Sequence, residues 1–216
     1  MTLAFFPSLG VTQDCSYNQA FDPPLPVQGN VCIASDSLKS KGLVEIPASS
    51  PPASLPMEVQ EGVVLKLRKF GDSPGSLLID EDGSLSGTDL SDSVIIDAAQ
   101  EIISNGHFQL SAPEDILRLR AVRSITLQGQ TELEGDSVKI ESSKKDILLD
   151  GVSISAEYIL ELNAFKGSIT IKNSTLKVGE EDEGKGPCRL YAKNGIQGLD
   201  DPSNDFDCVI VTPTSK

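Results

Sequence analysis

Small turn-forming residues return along this chain at a nearly constant interval: Gly83, Gly106, Gly129, Gly151, Asn173 and Gly195, spaced by 23, 23, 22, 22 and 22 residues. Four residues before each stands a large apolar side chain, in turn Ile79, Ile102, Ile125, Ile147, Ile169 and Tyr191. Gly and Asn enter the left-handed backbone region at the lowest steric cost, so the ladder reads as one sharp corner repeated. A corner that comes back every 22 residues, just behind a core-facing residue, predicts a stack of equivalent coils. A second ladder, Val94, Leu117, Ile140 and Leu162, keeps step at intervals of 23, 23 and 22. Around it apolar and polar residues alternate over short runs, as in Leu117-Arg-Leu119, Val138-Lys-Ile140 and Ile169-Thr-Ile171. That period of two turns one face inward and the other to solvent. The expected fold is all-β: a right-handed parallel β-helix, or β-solenoid, with about 22 residues per coil and about five to six coils.

One stretch dissents. Residues 91–106, SDSVIIDAAQEIISNG, carry a helix-like start at Asp92 and a stop at Gly106. Val94, Ile102 and Gly106 nevertheless fall on the two ladders, which favours strand.

The repeats divide the chain into three. Residues 1–56 hold eight of the thirteen prolines, and proline removes ladder donors, so this segment reads as an extended N-terminal arm. Residues 57–178 carry the β-helix repeats. Residues 179–216 read as a C-terminal cap, opened by the acidic run Glu180–Glu183 and closed by a cysteine loop. The four cysteines form two local pairs at the ends of the repeat block, Cys15 with Cys32 and Cys188 with Cys208. An even number so placed predicts two disulfide staples and an oxidising compartment; the alternative is four reduced thiols in a cytoplasmic protein.

The formal net charge of −14 argues against nucleic-acid partners, whose binding needs a basic face. No stretch approaches the length of a membrane span, and the opening Met1-Thr-Leu-Ala-Phe-Phe-Pro has no signal-peptide pattern. No catalytic constellation stands out. His107, the lone histidine, follows a corner and is expected at the surface, and no GxSxG accompanies it. Neither Glu180–Glu183 nor Asp200–Asp207 matches a calcium-loop spacing, and there is no CxxC for zinc. No cofactor or metal is therefore expected, and no enzymatic activity. Asn173-Ser-Thr175 is a sequon on an exposed corner and a glycosylation candidate.

Ile116-Leu-Arg-Leu119, Val138-Lys-Ile-Glu141, Ile147-Leu-Leu-Asp-Gly151 and the tail Cys188-Arg-Leu-Tyr-Ala-Lys-Asn-Gly195 together resemble the extracellular repeats and cysteine-containing tail of the sarcoglycans. The family tail carries a close C-x-C pair where this chain has Leu190 and Ala192. The resemblance implies a β-helical ectodomain in a hetero-oligomeric membrane-associated complex, with no active site. The expected function is thus structural: a subunit of a cell-surface or extracellular assembly that meets other protein chains through residues 1–56 and its terminal coils. The alternatives are a glycan-binding or glycan-processing β-helix of the tailspike or lyase kind, and a cytosolic bactofilin-like filament protein.

Overall fold

A computed structural model describes residues 38–41, 44–46, 57–58, 64–68, 75–79, 81, 83–88, 90, 93–179 and 184–212. Among them there is no helix, and hence none long and apolar enough to cross a membrane. Every pairing is parallel. One sheet of seven short strands runs from Val44–Ile46 to Ile196–Gln197, and a twelve-stranded sheet takes up the remaining, longer strands. Residues 91–106 are strand at Val94–Ala98 and Ile102–Ser104, as the ladders required.

The coil has a fixed internal plan. A short strand of three residues, such as Ile125–Leu127, forms the first face. After a corner comes a strand of thirteen to fifteen residues in the central coils, His107–Ala121, Gln130–Ser142 and Val152–Ala164. Each long strand is broken by a register shift into two faces, the second of five residues and the third of six. A last corner returns the chain to the next short strand. Inward positions alternate on every face, so Ile102, Ile125, Ile147 and Ile169 stack in one column, all 0 % exposed. Leu110, Leu133, Ile154 and Leu176 form another, and Leu119, Ile140, Leu162 and Leu190 a third. Burying such a side chain is worth about 1.5–3 kcal/mol, and each coil supplies several of them. Where two walls converge the inward residue is small: Ala98, Ala121, Ser142 and Ala164 fill one such column.

Strand lengths stay constant while corners vary. Between the second and third faces lie three residues (113–115) in one coil, one (Asp136) in the next and two (157–158) in the third. The corner before the short strand compensates, with three residues at 122–124 and four at 143–146 and 165–168. Because of these shifts Leu117 pairs with Val138, and Ile140 stands opposite Leu119, so the second sequence ladder crosses between two adjacent inward columns. Two members of the first ladder are also displaced. Ile79 stacks on Ser104, leaving Leu77 as the partner of Ile102. Tyr191 lies on the third face beside Asn163, while Ile196 takes the column after Ile169.

Gly83, Gly106, Gly129, Gly151 and Asn173 do occupy the corner between the first and second faces, which we call the glycine corner. Gly129, Gly151 and Asn173 are left-handed there, with φ of 69°, 74° and 48°; Gly106 is buried and lies outside that region. Gly195 stands at the other corner, where its carbonyl accepts from Ile169 N, because the last coil is five residues longer than its neighbours. The ladder of strands also reaches back before residue 57: Leu38–Lys41 pairs with Val64–Arg68, and Val44–Ile46 with Leu77–Ile79. These strands use a stretch without proline.

Gly129 and Gly151 make a test pair. A Cβ on Gly129 would stand 2.5 Å from the Asn105 carbonyl oxygen, whereas one on Gly151 meets nothing closer than 3.7 Å. Gly151→Val should cost about 1–3 kcal/mol through backbone strain alone. Gly129→Ala should cost more than Gly151→Ala, and Gly151→Asn should be nearly neutral, as Asn173 already occupies the equivalent turn. Urea midpoints of the four variants check the order.

Candidate interaction surface: the C-terminal end coil

The last coil departs from the plan at the bend. Eight residues, 179–186, separate Val178 from Pro187, against one to three in the coils above. Gly179 and Gly184 carry φ of 104° and 98° at the two ends of this excursion, and Gly186 N donates to the Val178 carbonyl at 2.7 Å, closing it at its base. The chain then lays Pro187–Ala192 on the third face and Ile196–Gln197 on the first. Asp205–Asp207 follows on Thr175–Lys177, and Val209–Val211 on Pro187–Arg189.

Two devices hold this coil. Cys188 continues the inward column of Val138 and Leu160, and its sulfur is bonded to Cys208 between the last two strands. Asn204 does the work of a corner: its Oδ1 accepts from Ser174 N at 3.0 Å, and its Nδ2 donates to the carbonyls of Ile171 and Gly198 at 3.0 and 2.7 Å. An Asn in an acidic Ser/Asp run carries no periodic signal, so the sequence did not single it out. Asp201 caps the preceding turn, accepting from Ser203 N and Oγ, which lowers its pKa.

Among the described residues, Ile196–Gln197, Asp205–Asp207 and Val209–Val211 each pair on one side only. Among these residues their outer backbone groups form three short open edges, one on each face, with N–H and C=O groups ready for a further strand. Val209 and Val211 are 52 % and 43 % exposed, while Ile196, Leu199, Phe206 and Ile210 are only partly covered where they pack on the end of the core. The end coil therefore presents an apolar strip and an unpaired edge together.

The other residues singled out in the sequence lie elsewhere. Cys15 and Cys32 are outside the described residues. Asn173 is exposed at the glycine corner, and its amide donates to Asp150 Oδ1 at 2.9 Å. His107 is half-buried on the second face beside Gln130. The bend between the second and third faces gathers Asp115, Asp136 and Glu157 in successive coils. Burial, and then the neighbouring charges of Glu157 and Asp115, push the Asp136 carboxyl up from the usual carboxylate range, and its buried Oδ1 has no partner. The hydroxyl of Ser93 and the backbone N–H of Ile116 hold Asp115 down. Among the described residues no three His, Cys, Asp or Glu side chains are grouped to hold a metal ion.

Cys188–Cys208 closes a separation of 20 residues, for which chain entropy predicts about 3 kcal/mol of stabilisation. Reduction should lower the melting temperature and raise hydrogen exchange first in residues 187–211, leaving 107–164 protected. For Asp136 a folded-state pKa above the unfolded one means the native state binds the proton more tightly, so ionisation opposes folding. Asp136→Asn should accordingly stabilise at pH 7, with the gain fading as the pH falls through the native pKa; denaturant midpoints at pH 7 and pH 4 measure it.

No family model matches the chain, and neither a curated protein nor a solved structure matches it.

Proposed function

We propose that the protein is a structural, non-enzymatic β-solenoid subunit of a cell-surface or extracellular assembly, and that its end coil is where a neighbouring protein chain adds on. The observation that carries this reading is the open edge of the last coil, held in place by Cys188–Cys208 and carrying exposed Val209 and Val211. An extended segment that adds a strand to such an edge gains affinity from backbone hydrogen bonds and selectivity from alternate side chains. The disulfide supports an oxidising compartment. A stack of rigid coils with an assembly role is also what the sarcoglycan-like repeats imply.

Oligomeric state tests the reading. Full-length protein should form a defined oligomer, or a complex with its partner, by light scattering at micromolar concentration. Val209→Lys with Val211→Lys places gatekeeper charges on the edge. It should dissolve the assembly and leave the melting temperature within about 1–2 °C, because single surface substitutions usually change stability little. A monomeric wild-type protein that captures no partner, or assembly unaffected by the two lysines, would reject the proposal.

A further inference from the structure

The cations of this acidic chain are not spread evenly. In residues 107–168 all seven Lys and Arg lie on the third face or at the corner that follows it. On the flat third face all but Arg120 are paired across strands: Arg118 with Glu141, Lys139 with Glu161 at 3.3 Å, and Arg189 with the same Glu161 at 3.4 Å. At the corner they are not. Arg123, Lys144, Lys145, Lys166 and Lys193 are all exposed there, and none forms a salt bridge among the described residues. Stacking of successive coils, with Ser143 N donating to Ala121, Phe165 N to Ser142 and Lys193 N to Ala164, lines up Arg123, Lys144 and Lys166, while Lys193 stands one position earlier, above Phe165. The row therefore advances by one coil at a time, about 4.7–4.9 Å. Asp146 is the one exposed acid within it, tied to Ser168 through both backbone N–H and hydroxyl.

An aromatic pair flanks this row, Phe165 at the corner and Tyr191 on the adjoining third face. Phe165 directly precedes Lys166 and Tyr191 stands two residues before Lys193. Their rings lie 6.0 Å apart and are 45 % and 38 % exposed. Large aromatic groups left in water beside exposed cations, of which only Lys145 has an acid beside it in the corner, Asp146, call for a ligand that is both anionic and able to lie flat on a ring.

We infer that this basic corner is a binding ridge for a linear anionic polysaccharide, one carrying carboxylate or sulfate groups along a chain of pyranose rings. The polymer runs parallel to the solenoid axis, with a charge over each coil and a ring face on Phe165 and Tyr191. A pyranose unit is comparable in length with one coil rise. An extended acidic peptide repeats its side chains on one face only every two residues, about 6.6 Å, which falls out of step with the row. A nucleic-acid strand asks for several stacking platforms, and the ridge has one aromatic pair. At physiological salt the screening length is about 8 Å, so the local row acts despite the net charge of the whole chain.

Full-length protein should bind polygalacturonate or dextran sulfate in a salt-dependent manner at 50 mM salt, and should not bind neutral dextran. Lys144→Glu with Lys166→Glu should weaken binding about tenfold or more and flatten its salt dependence. Phe165→Ala should weaken it about threefold to tenfold without changing that slope. Lys172→Glu, on the opposite glycine corner, should leave binding unchanged. Equal loss with Lys172→Glu, no binding of either polymer, or oligo-dT bound as tightly as the polyuronate would each overturn the inference. Because none of these variants touches the end coil edge, they do not alter the assembly test above.

Discussion

Parallel, in-register stacking is the constraint on which everything else in this molecule depends. Each coil must bring three, five and six residues to the same three faces as the coil above, or its inward side chains fall out of their columns. A slip of one residue on any face would turn Leu119, Ile140 and Leu162 to solvent and expose their charged neighbours to the core. The strand segments are therefore held to length in the coils from Ile102 to Ala164, and the variation there is pushed into the corners. Corner lengths can change because a loop outside the ladder alters no inward position. That freedom is what admits eight residues at 179–186 without disturbing Cys188 and Leu190 on the next strand.

Corners have a problem of their own, since their backbone groups leave the ladder. Inward polar side chains solve it. Thr131 Oγ1 donates to the Gln128 carbonyl at 2.8 Å, and Ser174 Oγ to that of Lys172 at 2.6 Å while accepting from Val152 N at 3.1 Å. Ser142 Oγ lies within hydrogen-bond reach of the carbonyls of Arg123 and Lys145, to one of which it donates, and accepts from Lys145 N at 3.2 Å. All three are buried, yet each sits at the end of a face where an apolar side chain would leave a carbonyl unmet. Ser104 has no such partner, in a column otherwise filled by Ile79, Leu127 and Leu149; no physical account of it follows from its surroundings.

These facts explain what could be read in the sequence. The isoleucine column and the glycine corner were legible because corner lengths compensate: a coil that loses two residues at the bend gains one before the short strand. The period thus stays at 22 to 23 although no single corner keeps its length. The same compensation hides local shifts, so a ladder counted by period alone steps from Leu117 to Ile140 and misses that Val138 is the true partner. It fails altogether at the last coil, where the long bend carries Tyr191 and Gly195 to other positions. The local pairing of Cys188 with Cys208 was visible, whereas the corner role of Asn204 and the open edge were not, because both depend on where the chain stops repeating. The basic row was hidden for another reason: its members lie 21 to 27 residues apart, within an acidic chain whose overall charge points the other way.

A solenoid is uniform along its length, so its ends carry the information. The apolar strip of Val209, Ile210 and Val211 is flanked by Asp200, Asp201, Asp205 and Asp207, of which, among the described residues, only Asp207 has a salt bridge, to Lys185 at 2.9 Å. An open edge lined by unneutralised carboxylates repels a second identical edge, which guards the rod against indiscriminate end-to-end pairing. A strand that carries lysine or arginine beside its apolar residues meets no such barrier. In the assembly proposed above, these carboxylates would therefore set which chain can complete the stack, with selection residing in charge and adhesion in the backbone edge and the valines.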